Sequence, residues 1–460
     1  MHAKLIVKNF GPLRDIDVEL RNVNVLIGAQ ASGKSALAKI YTICKSPLAF
    51  INKPLPFALA ANGENKDVAI ENFKIILEEY NISSFLEPDT FIEFDAELHY
   101  FKYENGELFY KRKLLKEIQS LERMWIADED VDKTAVADLL NVLNDKLFNF
   151  SSILVNKLQK SAHIFFSKQE FTDAFIKDNY TTQEIKLVVD NVKELEAFLE
   201  GNTALYIPAE RNFIPIIKGA SLNLLNNNVP IPKHILSFGS EYEKASFALS
   251  DIDLSFVKEG LGYVNDNGID FIIINGDKKI RLTQAASGLQ SIIPLLLPIM
   301  AQKKLDQYQH KSFVIEEPEL NLFPDTQYNL IQSLEEQRQE PLSGWEDFGV
   351  IHTYTTHSPF ILSAFNNLLF ANKVQRSIRN YLFAHIATDK SKHASTARNE
   401  VEKIVSVTLY HKNFSAYQLA NGKAESIVEN GLIKENFIDQ TSDKLGEDFE
   451  ALMDLMEQYK

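Results

Sequence analysis

The sequence predicts an α/β fold: a mixed β-sheet built around one strand–loop–helix unit and carrying a mostly helical, acidic insertion. Three observations predict it. A buried-type strand, Val23 to Ile27, runs directly into Gly28, and from Lys34 onward Ala36, Leu37, Ile40 and Tyr41 recur at helical spacing. Strands return after Thr203, each a short apolar run. Between these blocks, residues 61–200 hold 28 Asp+Glu against 16 Lys+Arg, a net of −12 out of the formal −15.

Taken in order, Lys4–Val7 and Ile16–Leu20 read as two strands around the turn formers Asn9-Phe10-Gly11-Pro12. The strand Val23–Ile27, a Gly-bearing loop and a helix follow. In 61–200, Leu139, Val142, Leu143 and Leu147 keep helical spacing, so the stretch reads as a helical insertion, either a partner-docking lobe or a solvated charged face. Ala204–Ile207 is the next strand and ends in Pro208-Ala209-Glu210-Arg211. Phe271–Ile274 and Ile280–Thr283 read as a hairpin turned by Asn275-Gly276-Asp277, and Asn421-Gly422 as the turn of a later hairpin after Val405–Tyr410. A helix is expected at Asp325–Gln337. From Glu447 an amphipathic helix gathers Phe449, Leu452, Met453 and Met456 on one side. The expected division is a core of 1–60 and 201–460 with the insertion at 61–200.

Composition narrows the function classes. A hydrophobic content of 45% with 11% aromatic residues is that of a globular chain. The single cysteine, Cys44, excludes an intrachain disulfide, a Cys-cluster zinc site or a zinc hook. The longest apolar run, Ile292–Ala301, is about half of what a bilayer span needs and contains Pro298. No basic-then-apolar leader opens the chain. The expectation is a soluble, cytoplasmic protein without membrane contact. The charge of −15 disfavours DNA as a partner, because phosphate binding needs local excess cation.

Four motifs carry chemistry. Gly28-Ala29-Gln30-Ala31-Ser32-Gly33-Lys34-Ser35 fits the phosphate-binding loop G-x-x-x-x-G-K-[ST] at every fixed position. In such a loop successive backbone N–H groups curl around the phosphates of ATP at a helix N-terminus, a lysine adds a point charge, and the hydroxyl of Ser35 can ligate Mg²⁺. Phe313-Val314-Ile315-Glu316-Glu317-Pro318-Glu319 is an apolar strand ending in acids. Glu316 would serve the Mg²⁺ water shell and Glu317 would polarise an attacking water, while Glu319 would cap the following turn or make a polar contact at the site. Ser287-Gly288-Leu289-Gln290-Ser291 opens an apolar helix, exposing a hydroxyl and free N–H groups to an anion. Thr356-His357-Ser358-Pro359 ends another strand, where His357 can donate to the γ-phosphate; His352, on the same strand, reads as structural or solvent-facing.

Phosphate loop, S-G-x-Q-S, hhhEEPE and T-H-S-P, in that order, resemble ABC-type ATPases of the overcoming-lysogenization-defect (OLD), AAA15 and AAA21 group, relatives of RecF and SMC heads. Lys8-Asn9-Phe10-Gly11-Pro12-Leu13 is similar to that group's first hairpin, and Tyr206–Arg211 to a stretch recurring in it. The resemblance implies an ABC/RecF/SMC-head-like P-loop fold, Asn9 and Phe10 near the nucleotide base, and a head-to-tail homodimer or higher homo-oligomer. Two ATP molecules would lie at the interface, each on one subunit's phosphate loop (Gly28, Gln30, Ala31, Ser32, Gly33, Lys34 and Ser35) and closed by Ser287 and Gly288 of the other. The residues implied in turnover are Lys34, Glu317 and His357, with Ser35 and Glu316 toward Mg²⁺. Arg211 either reaches a phosphate across the interface or forms a structural salt bridge. Gln30 stands where Asn is frequent, Leu289 replaces a signature glycine, and Glu316 replaces the Asp of transporter ATPases, which implies slow turnover.

The Asp-x-Asp pairs Asp128/Asp130 and Asp251/Asp253 precede the acidic strand and read as helix surface or loop, so no fused nuclease is expected. A stand-alone ATPase of this kind resembles the ATPase subunits of anti-phage systems such as PARIS and Septu. That implies a sensor or scaffold controlling a separate effector, a nuclease or toxin, under a phage-encoded trigger. The alternative is a RecF/SMC-like DNA-repair ATPase clamping DNA; a transporter subunit is the weakest reading.

Overall fold

The computed structural model describes residues 3–46, 68–96, 99–112, 203–218, 230–304, 310–339, 350–384, 397, 399–434 and 449–453. Its centre is an 11-stranded sheet. The first two strands, β1 (Ala3–Phe10) and β2 (Leu13–Leu20), form an antiparallel hairpin. Leu5 and Val7, then Ile16, Val18 and Leu20, point into one core, and in β2 the intervening Asp17 and Glu19 face out. β3 (Val23–Gly28) is buried along nearly its whole length, as a strand covered on both faces should be.

Three strands extend the hairpin side: β4 (Leu86–Asp95), β5 (His99–Glu104) and β6 (Glu107–Arg112), with β4 antiparallel to β1. They correct the expected division of the chain. Within 61–200, the helix Val68–Glu79 agrees with a helical segment, but Leu86–Asp95, His99–Glu104 and Glu107–Arg112 are strands of the main sheet. Asp128 to Asp130 and the apolar series from Leu139 to Leu147 lie outside the described residues.

The other half of the sheet is parallel. β7 (Thr203–Ile207) pairs with β12 (His310–Glu316), β12 with β13 (Ile351–Thr356), and β13 with β3. β3 also pairs in parallel with β14 (Phe414–Ala420), whose hairpin mate β15 (Lys423–Ser426) closes the join to β2. The Asn421-Gly422 turn is therefore preceded by 414–420, not by Val405–Tyr410, which forms no strand. Both turn residues have positive φ, 51° and 75°, as a two-residue hairpin turn requires.

Helices Lys233–Ala248, Ser287–Lys304, Pro324–Gln339 and Pro359–Ala384 cover one face of the parallel half. Helix Lys34–Lys45 packs on the other face, in the core shared with Val68–Glu79. A second, four-stranded antiparallel sheet runs β11 (Lys278–Arg281), β10 (Ile269–Ile274), β9 (Leu261–Asp266) and β8 (Asp251–Asp253). Asp251 and Asp253 thus lie on an edge strand, not on a helix or loop. The helix Ser287–Lys304 runs through Pro294 and Pro298, neither of which ends it. Among the described residues no helix is long and apolar enough to cross a membrane. Residues 449–453 are helical with Phe449, Leu452 and Met453 exposed; Met456 lies outside the described residues.

Candidate functional site

The parallel strands end at one level. Glu316 pairs with Thr355, Thr356 with Ile27, and Gly28 with Leu419, so the loops leaving β3, β12, β13 and β14 emerge along one rim of the sheet. Carboxyl ends of parallel strands are where open α/β sheets bind ligands.

The phosphate loop is shaped by three positions. A Cβ on Gly28 would stand 2.4 Å from the Leu419 carbonyl oxygen, so only glycine allows β14 this close. Gly33 has φ of +97° and seats against Leu13, while Ala31 takes φ of +61°. The turn then delivers Lys34 at the start of its helix. Its ammonium donates to the carbonyls of Gly28 (2.8 Å) and Ala29 (2.9 Å) and lies 3.4 Å from Nδ1 of His357. Burial pulls the Lys34 pKa down, and the carboxylates of Glu317, Glu319 and Glu316 oppose it. Ser35 and Gln30 are exposed beside it.

Nε2 of His357 lies 3.5 Å from Oε1 of Glu317, so Lys34, His357 and Glu317 form one chain of contacts. With Lys34 charged and donating to Nδ1, the ring proton sits on Nε2 and faces the carboxylate. The register of His357 comes from Glu319. One oxygen of Glu319 accepts the Thr356 hydroxyl (2.7 Å) and the His357 backbone N–H (2.8 Å). Glu319 therefore ties the ends of β12 and β13 together; its contact is at the site, not a cap.

Glu316 is buried, 4% exposed; its Oε2 accepts the Ala209 N–H at 3.4 Å, and Oε1 has no hydrogen-bond partner among the described residues. Burial, with that carboxylate nearby, pushes the Tyr206 hydroxyl well above its ordinary range. The buried Glu316 carboxylate and the exposed Ser35 hydroxyl are hard-oxygen donors of the kind Mg²⁺ takes.

Arg211 is wholly buried. Among the described residues it makes no salt bridge with a carboxylate, and it reaches no surface; it donates to the carbonyls of Pro208, Ser291, Glu316 and Glu317. Burial lowers its pKa to about 10, so it stays charged near neutrality. Both sequence readings of this side chain are thereby replaced.

Phe10 does not belong to the site. It is fully buried and packs edge-to-face on Phe85, so no base can stack on it. Asn9, at φ of +51°, stays exposed and donates to Asp89. Ser287 is exposed at the start of its helix with Gly288 behind it, where a Cβ would meet the Asn321 carbonyl oxygen at 2.9 Å. Nothing joins Ser287 or Gly288 to the phosphate loop of the same chain among the described contacts. Sequence reasoning overlooked Asn321, whose amide donates to the Ser291 hydroxyl at 3.2 Å; an Asn two residues past Glu319 and three before Pro324 was the available turn signal.

The AAA ATPase domain family model (AAA_15) matches residues 1–362. No curated protein matches the chain. Among solved structures, the Smc head domain with an extended coiled coil bound to the C-terminal domain of ScpA, from Pyrococcus furiosus, is 10% identical. It covers 98% of this chain and 99% of its own, at a TM-score of 0.33. The SMC head domain from Thermotoga maritima is 12% identical over 93% of this chain and 99% of its own, at a TM-score of 0.34. At such scores the likeness carries nothing about activity or assembly.

Proposed function

The chain belongs to the AAA ATPase domain family, and from that premise we propose that it hydrolyses ATP between two copies of itself and uses the cycle to control a separate effector. The observation that carries the first part is the shared rim. Phosphate loop, buried Glu316, Glu317 and His357 converge from three parallel strands, with Lys34–His357 at 3.4 Å and His357–Glu317 at 3.5 Å.

In this reading the loop N–H groups and Lys34 hold the phosphates. Ser35 and Glu316 would hold Mg²⁺, which supplies charge neutralisation on the β- and γ-phosphates when bound. Glu317 orients a water and takes its proton. The water oxygen bonds to the γ-phosphorus, the bond from that phosphorus to the bridging oxygen breaks, and ADP and phosphate leave. His357 donates from Nε2 to the γ-phosphate and registers its departure. Ser287 and Gly288, exposed on their own subunit, serve the ATP held by the second copy. Phe323, 83% exposed just past the acids, is apolar surface that this reading gives to the second copy.

Effector control rests on the resemblance of the motif order to stand-alone ATPase subunits of anti-phage systems, with the acidic region as the surface offered to a partner. The test is light-scattering mass with phosphate release, for wild type and Glu317→Gln, with and without Mg-ATP. The expected result is an ATP-dependent rise in mass in both and phosphate release in wild type only. No response of either mass or phosphate would overturn the reading.

A further inference from the structure

We infer that Arg211 is a positioning residue that holds Glu317 in its working backbone conformation and locks that conformation to the helix bearing Ser287 and Gly288. The inference rests on the ATPase reading above.

Glu317 has φ of +42°, in the left-handed region that a non-glycine residue adopts only at a cost. Something must hold it. Two peptide planes flank its Cα. The first is fixed at both ends: the Glu317 N–H donates to the Thr355 carbonyl at 2.9 Å, and the Glu316 carbonyl accepts from Arg211 Nη1 at 2.6 Å. The second has no N–H, because the next residue is Pro318; its carbonyl accepts from Arg211 Nη2 at 2.8 Å and from the Leu320 N–H at 3.1 Å. One guanidinium therefore grips both planes. It can do so because its donors project as a rigid fork, which a lysine does not have.

The remaining donors reach elsewhere. Nε donates to the Ser291 carbonyl at 3.0 Å, and Nη1 also to the Pro208 carbonyl at 3.2 Å. Ser291 lies in the first turns of the helix opened by Ser287 and Gly288, and its hydroxyl donates to the Ser287 carbonyl at 3.1 Å. Asn321 donates to that same hydroxyl, so the loop after Glu317 meets this helix start by a second route. In a two-copy ATP site, Glu317 serves the nucleotide on its own subunit, whereas Ser287 and Gly288 serve the other. Arg211 is thus a buried bond between the two sites, and a shift of the signature helix is carried to the acid that activates water.

The experiment uses the full chain as wild type, Arg211→Met, Arg211→Lys, Glu317→Gln and the Arg211→Met/Glu317→Gln double variant. Steady-state kcat and KM, the Kd for N-methylanthraniloyl-ATP, and single-turnover phosphate release are measured. Misplacing the acid by an ångström should lower kcat about 100-fold in Arg211→Met, with Kd moving less than about threefold. Arg211→Lys should fall between the two. Because Arg211 acts through Glu317, adding Arg211→Met to Glu317→Gln should slow single turnover by less than about twofold, a non-additive result. Unchanged kcat in either Arg211 variant would overturn the inference, as would losses that add, or a fall in kcat matched by the fall in affinity. If Arg211→Met does not fold, Arg211→Lys decides by the same split between kcat and Kd. Undiminished turnover by Glu317→Gln would overturn the ATPase reading, and the inference with it. That outcome is distinct from a failure confined to the Arg211 variants.

Discussion

Single carboxylates at the sheet rim do unlike work because their surroundings differ by a few ångströms. Glu316 is buried beside the Ala209 N–H, Glu317 is half-exposed on a left-handed backbone, and Glu319 ties Thr356 and His357 through Oε1 while its Oε2 is buried without a partner among the described residues. Truncating Glu319 leaves a buried hydroxyl and a backbone N–H without their acceptor. Glu319→Ala should cost about 1–3 kcal/mol in urea unfolding and lower kcat by loosening His357. Undisturbed kcat would separate the tie from catalysis. At this scale the phosphate loop, the acid pair and His357 were legible, because each motif dictates which atoms point where. Glu319, Arg211 and Phe10 were not. Their roles depend on which loop lies opposite, and a motif says nothing of that.

Between helix Pro324–Gln339 and β13 the buried polar group is a network. Glu335 accepts from Arg338 at 2.6 Å and from the Tyr354 hydroxyl at 2.9 Å, and lies 3.3 Å from His352 Nδ1. Burial pushes the Glu335 pKa up, yet Arg338 and His352 outweigh it and hold the carboxyl at about 2. A depressed acid contributes stability above its unfolded value and loses it as pH falls through the folded one. The network's contribution should therefore be intact above about pH 4.5 and fade toward pH 2. Glu335→Gln should cost about 3–5 kcal/mol at pH 7 and flatten that acid limb in urea melts taken across pH. An unchanged limb would assign it to other groups. The strands of 86–112 were readable in principle. His99, Phe101 and Tyr103 alternate inward, and Asn105-Gly106 turns at φ of 52° and 79°. A charge count averaged over 61–200 hid them, since the acids lie on the exposed face of strands that bury the other.

Across the whole molecule the formal charge is −15. Duplex DNA should therefore not be retained in filter binding at about 50 mM or 200 mM salt, with or without ATP. Retention falling steeply between the two salts would favour a DNA clamp. The general architecture followed from the order of motifs, because a phosphate loop, an acidic strand and a histidine strand can meet only at the carboxyl ends of parallel neighbours. The long antiparallel wing did not follow, since pairing β4 with β1 is a choice made over about eighty residues of chain that no local pattern records.

The positive φ of Glu317 has a consequence for thermostability. Asparagine tolerates the left-handed region far better than glutamate, so Glu317→Asn should relieve strain and raise the melting temperature by a degree or two, about what 1 kcal/mol yields in a chain this large. The same change should silence phosphate release. A hotter-melting but inert variant would mark 317 as a position where resistance to heat has been given up to keep an acid in place; a lower melting temperature would mean the backbone there is at rest.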